Sequence, residues 1–189
     1  MILKGGRMFV RVLVFTLVED AALIAWLALV RAGRAFLGGA LLPIGFFVEH
    51  VIADNVKNHD SLFNLRGIPY GRIAVNALLE TGLWLVWLFL WPFYQFDIFG
   101  VGIPAFAIVW LQITLHIEHN LTDNIFHGRP LFADLFNSRV LGFTTLENIG
   151  ASGWLGLIGA GQPIFAIMWL IVFQQAEHMR AIVLGQRPR

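Results

Sequence analysis

Every glutamate of this chain, Glu19, Glu49, Glu80, Glu118, Glu147 and Glu177, lies inside a long apolar stretch, one in each of six. The stretches run near 8–30, 35–56, 72–91, 102–125, 139–160 and 163–184. A hydrocarbon core about 30 Å thick takes roughly 20 apolar residues per helical crossing, so each has the length of a membrane span. An ionisable side chain near mid-bilayer costs about 2.5–3.5 kcal/mol on insertion scales. Six of them demand a common compensating partner, and that demand limits what the chain can fold into.

Composition agrees. The 189 residues are 58% apolar and 13% charged, with a mean hydropathy of +0.72, which excludes an ordinary soluble globule. The expected fold is all-α, a polytopic membrane bundle of six transmembrane helices in one integral-membrane domain over 1–189, with no room for a second soluble domain. Absence of cysteine removes disulfides, thiolate metal sites and cysteine nucleophiles. A net charge of +1 is too small for nucleic-acid binding, which needs a concentrated basic face. Connectors near 31–34, 57–71, 92–101, 126–138 and 161–162 carry Gly, Pro, Asn or charge, and they join the spans into three hairpins.

Lys4, Arg7, Arg11, Lys57, Arg66, Arg72, Arg129, Arg139, Arg180, Arg187 and Arg189 fall at one end of this arrangement, and Arg31 and Arg34 at the other. The positive-inside rule then places both termini in the cytoplasm. The first span begins like a signal peptide, but Glu19-Asp20 interrupts its apolar run and no convincing cleavage site follows, so it reads as a retained anchor. Trp84, Trp87, Trp91, Phe93 and Tyr94 read as an outer interfacial belt. Gly38-Gly39 and Gly153, Gly156 and Gly159 read as sites of close helix approach. The basic and apolar connectors 57–71 and 126–138 suit segments lying on an anionic lipid surface.

Equal depth in an antiparallel hairpin requires the numerical midpoint of two residues to fall at the turn. Glu19 and His50 centre between Arg34 and Ala35, Glu80 and His119 between Phe99 and Gly100, and Glu147 and His178 between Gln162 and Pro163. Each midpoint lies in or beside a connector, so the glutamates share one layer. About 9 residues separate it from the cytoplasmic helix ends, a depth of roughly 13 Å at 1.5 Å per residue. The layer is therefore nearer the cytoplasmic face.

A threefold internal repeat emerges from the same residues, with units near 8–56, 72–125 and 139–184 around a pseudo-threefold axis. Even-numbered spans carry Glu-His, at Glu49-His50, Glu118-His119 and Glu177-His178; odd-numbered spans carry a lone Glu, with Thr16, Asn76 or Thr144 three or four positions earlier on the same helical face. Asp54-Asn55 and Asp123-Asn124 follow the first two Glu-His pairs at equal distance, whereas Ile182 stands at that place in the third.

Carboxylate and imidazole together suit iron, manganese and zinc. Glu19, Glu49, His50, Glu80, Glu118, His119, Glu147, Glu177 and His178 form the expected ligand set. Six ionised glutamates are balanced by three divalent or two trivalent ions, and iron stands foremost. Three ions would give each hairpin's metal one His and two Glu; two would share bridging carboxylates. Metal-bound imidazoles hand their second N–H to an oxygen, a role that Asp54, Asp123 and Gln174 can fill, each four residues from a histidine. His116, on the face of His119, is a candidate extra ligand.

Such a site, in an apolar surround that admits dioxygen and lipids, points to an iron-dependent oxidoreductase or oxygenase acting on a lipid-soluble substrate with a redox partner. The alternative is metal-ion or proton transport, against which stand the almost wholly apolar outer halves of the spans. A third reading has the histidines as haem or chlorin ligands. The bland reading is a network of protonated glutamates with histidine, because no Arg or Lys shares the layer's depth and ion pairs are unavailable.

Overall fold

A computed structural model describes residues 2–59, 61–90, 97–98, 101–102, 105–127, 129–130, 132, 135 and 137–185. Among them are six α-helices: α1 (Ile2–Arg31), α2 (Ala35–His59), α3 (Tyr70–Leu90), α4 (Ala105–His127), α5 (Ser138–Gly159) and α6 (Pro163–Gly185). The fold is all-α apart from a two-residue antiparallel ladder between β1 (Asp97–Ile98) and β2 (Val101–Gly102), in the connector that follows α3. Each expected span coincides with one helix. Several helices outrun their apolar stretch, α2 continuing to His59 and α4 to His127, because backbone hydrogen bonding does not stop where side chains turn polar.

Two compact units divide the chain, Met1–Thr81 and Gly82–Arg189. In the first, α1 packs against α2; in the second, α5 packs against both α6 and α4. The turns of the two helix hairpins are built alike. Gly33 at the end of α1 has φ +74°, and Gly161 after α5 has φ +73°, the left-handed conformation that glycine adopts without a Cβ penalty. Arg34 N donates to Leu29 O and Gly33 N to Val30 O; Gln162 N donates to Leu157 O and Gly161 N to Ile158 O. Both are Schellman closures, which satisfy the last carbonyls of the helix and reverse the chain at once.

Just beyond each turn the helices touch at glycine. A Cβ on Gly38 would meet the Trp26 ring at 3.1 Å, and one on Gly45 would collide with Ala22. In the second hairpin a Cβ on Gly150 would lie 2.9 Å from Phe173 Cβ, and one on Gly153 would enter the Trp169 indole. The same interval separates Ala22 from Gly150 and Gly45 from Phe173, so both hairpins cross at corresponding places, with the glycine on opposite helices. Gly38 and Gly153 were expected as close contacts; Gly45 and Gly150 were not.

Acidic and apolar side chains share the interior, and large apolar side chains are also exposed. None of the six glutamates is more than 8% exposed, while Phe36 is 87% and Ile164 73% exposed. Among the described residues two helices, over Gly6–Arg31 and Ala35–Asn58, are long and apolar enough to cross a membrane by length and composition. Trp84 is wholly buried, a correction to its expected place in an interfacial belt: the ring packs inward as core. Trp91, Phe93 and Tyr94 of that belt, and the Phe99–Gly100 midpoint, lie outside the described residues.

Candidate metal centre

Helical spacing decides which way the acidic groups point. In α3 the buried positions Ile73, Asn76, Ala77 and Glu80 recur at three- and four-residue intervals and form one face. In α1 the face is Val12, Thr16, Glu19 and Leu23. Thr16 sits on it at little cost because its hydroxyl donates to the Val12 carbonyl, 3.0 Å away; Thr81 and Thr144 do the same to Ala77 and Val140 at 2.6 and 3.0 Å.

In the first unit these faces bring carboxylates together. Oxygens of Glu49 and Glu80 each approach within 4.8 Å of a Glu19 oxygen. His50 stands among them: its Nδ1 contacts the Glu49 carboxylate, and its Nε2 lies 3.6 Å from Glu80 Oε2. The second unit also brings histidine and glutamate together. His119 Nδ1 lies 2.8 Å from Glu118 Oε2 and Nε2 3.5 Å from Glu147 Oε2, with Glu177 within electrostatic reach of the ring. His178 Nε2 is 3.2 Å from Glu177 Oε2.

The lone glutamate facing His50 and the one facing His119 thus come from the helix that follows the Glu-His pair, not from the same sequence hairpin. Equal depth in the sequence left that choice open.

Both Nε2 to oxygen separations, 3.5 and 3.6 Å, exceed a charge-assisted hydrogen bond of about 2.7–2.9 Å. Two ligand atoms each about 2.1 Å from one ion at a tetrahedral angle stand roughly 3.4 Å apart. At His119 both neighbours of Nδ1, the Leu115 carbonyl at 3.1 Å and the Glu118 carboxylate, are acceptors, so Nδ1 carries a hydrogen while Nε2 faces Glu147. Metal-binding imidazoles are commonly oriented in this way.

The residues expected to orient the imidazoles are placed as follows. Asp54 accepts a hydrogen bond from Asn58 Nδ2 at 2.7 Å. Gln174 is wholly buried, one turn before His178. The side chain of Asp123 lies outside the described residues. His116, the candidate extra ligand, points Nε2 at the Leu135 carbonyl and so ties α4 to the connector after it.

Three buried groups escaped the sequence reading. Asp20, Thr81 and Asn148 follow the lone glutamates directly, and all are at most 6% exposed; a polar residue after each odd-span Glu was the available signal. Asn148 belongs to a chain that fastens α5 to α4. Its amide donates to the Ile108 carbonyl and to Gln112 Oε1, Gln112 donates to Thr144 Oγ1, and Ser152 donates to Asn148 Oδ1, at 2.9–3.1 Å. Trp26 and Trp154 are wholly buried, each seven residues beyond a lone glutamate and hence on its face. Comparison of the chain with protein-family models, curated proteins and solved structures returns no match.

Proposed function

We propose that this is an integral membrane metalloprotein whose six helices all cross the bilayer as three repeated hairpins, with both termini cytoplasmic and the acidic layer nearer that side. It holds two or three non-haem metal ions, iron foremost and manganese or zinc as the other candidates. The ligands are Glu19, Glu49, His50, Glu80, Glu118, His119, Glu147, Glu177 and His178. The chemistry is oxidation or oxygenation of a lipid-soluble substrate, with electrons from a redox partner.

One observation carries the reading: the buried oxygens of Glu49 and Glu80 lie within 4.8 Å of Glu19, with His50 Nε2 3.6 Å from Glu80. Like charges this close, out of water, cannot all be ionised without a cation. Protonation is the competing relief, but separations suited to a shared ion favour metal. The bundle reading rests on the exposed apolar surface around a buried acidic interior, and the repeat on the matched turns at Gly33 and Gly161.

An apolar surround admits dioxygen and hydrophobic substrates while limiting water. Trp26 and Trp154, buried two turns beyond Glu19 and Glu147, fill the positions a conduit needs open, which weighs against transport. A haem or chlorin needs room for a flat macrocycle over the imidazole nitrogen that binds it, whereas a carboxylate lies 3.2–3.6 Å from Nε2 of each of the three histidines.

Metal analysis of the protein purified in mild detergent, with optical and magnetic spectra before and after dioxygen, tests the proposal. We expect two or three ions per chain and an oxygen-dependent spectral change. Protein free of metal after gentle extraction overturns it, and metal or proton flux in proteoliposomes makes it a transporter.

A further inference from the structure

Asn76 differs from the threonines that stand at the corresponding place before the other two lone glutamates. Thr16 and Thr144 satisfy their hydroxyls on carbonyls one turn back. Asn76 is wholly buried on α3, and among the described residues neither its Oδ1 nor its Nδ2 meets a hydrogen-bond partner. A carboxamide has both donor and acceptor capacity, and leaving both unmet in an interior is costly. It lies one turn before Glu80 on the same buried face, and helical side chains lean toward the N-terminus, so the Glu80 carboxylate inclines toward it. Its place in the helix puts Asn76 beside the end of the group that Glu80 forms with Glu19, Glu49 and His50.

We propose that Asn76 binds the exchangeable oxygen ligand of the metal, a water or hydroxide, in the place that small exogenous ligands take over. Water and hydroxide offer a lone pair to Nδ2–H and an O–H to Oδ1, the complement of what Asn76 lacks. This rests on the metal reading above. It adds an exchangeable ligand held by Asn76, which the nine charged and imidazole ligands do not define.

Azide titrated calorimetrically into the metal-containing protein in detergent tests it, beside the variants Asn76→Leu and Asn76→Thr. Leucine keeps the shape and removes the unmet polar atoms. Threonine can place its hydroxyl on the Arg72 carbonyl, as Thr16 does on Val12, and so guards against loss of fold. We expect azide affinity to fall at least about tenfold in both variants, consistent with loss of a hydrogen bond to a charged ligand. Metal content should be unchanged, and the Tm of Asn76→Leu no lower than that of the natural protein.

Unchanged azide affinity in the variants overturns the proposal. So does loss of metal, which makes Asn76 a metal ligand, or a lowered Tm in Asn76→Leu, which makes it structural. Metal-containing natural protein that binds no azide overturns it while leaving the metal reading intact. Natural protein without metal removes the metal reading itself.

Discussion

His50 Nε2 lies 3.6 Å from Glu80 Oε2, which joins the second half of α2 to the middle of α3 across the connector between them. The same relation links His119 to Glu147 at 3.5 Å. A histidine that contacts two glutamates, its sequence neighbour and one on the next helix, would make the proposed metal binding a joint property of helices that loops alone do not hold together.

Removing one side of that relation should therefore act on metal and on stability together. We expect His50→Ala and Glu80→Gln each to weaken metal binding by at least about 10–100-fold, the loss seen even when groups behind a ligand are removed. Tm should fall in the metal-containing protein only, since binding stabilises in proportion to ligand occupancy. Elemental analysis and thermal scans with and without chelator check this. Equal Tm losses in both states would mean that His50 and Glu80 support the fold rather than a metal.

The helix crossing offers a test by exchange. Gly45 faces Ala22 so closely that a Cβ would overlap it, and overpacking of this kind costs about 1–3 kcal/mol. At roughly 2–4 °C per kcal/mol for a chain of this size, Gly45→Ala should lower Tm by about 2–12 °C. Adding Ala22→Gly should recover most of the loss, because the second hairpin already carries glycine on the opposite helix, Gly150 against Phe173. Purely additive effects in the double variant would refute a shared contact.

Asn55 holds the connector after α2. It is wholly buried; its Nδ2 donates to the Val51 carbonyl at 2.7 Å, and its Oδ1 accepts from Asn64 N at 2.8 Å. Asn55→Ala deprives the partly buried Asn64 amide of its acceptor, a loss of about 0.5–1.5 kcal/mol, and should free the segment around Arg66. Faster tryptic cleavage there, with metal content unchanged, is the expected result. Cleavage at the natural rate would show that other contacts hold the connector.

The sequence exposed the parts of this molecule that depend on local chemistry. Six apolar stretches became six helices, and the turns at Gly33 and Gly161 fell where equal depth of Glu19 with His50 and of Glu147 with His178 required them. Depth, however, is one coordinate. It cannot say which neighbour a side chain faces, so the pairing of His50 with Glu80 was illegible, as was Trp84 turning inward. Gly45 and Gly150 were hidden for a related reason: glycine at a crossing is informative only once its opposite residue is known. Asp20 and Asn148 were visible as neighbours of glutamate, but an i, i+1 step places residues about 100° apart on a helix, and burial on that second face is decided by packing.

Orientation can be tested directly because the chain contains no cysteine, so any introduced thiol is unique. Arg34 and Gln162 are exposed at the two matched hairpin turns, and Arg66 and Ser138 are exposed near the opposite helix ends. With both termini cytoplasmic, Arg34→Cys and Gln162→Cys should react with a membrane-impermeant maleimide on intact cells, and Arg66→Cys and Ser138→Cys only after lysis. Substitution at Arg34 also removes one of two basic residues from the sparsely charged end, which reinforces rather than reverses the charge asymmetry that sets orientation. Labelling of Arg34→Cys without Gln162→Cys would break the equivalence of the two hairpins. Labelling of Arg66→Cys and Ser138→Cys in intact cells, with the turns protected, would invert the topology and place the acidic layer nearer the outer face.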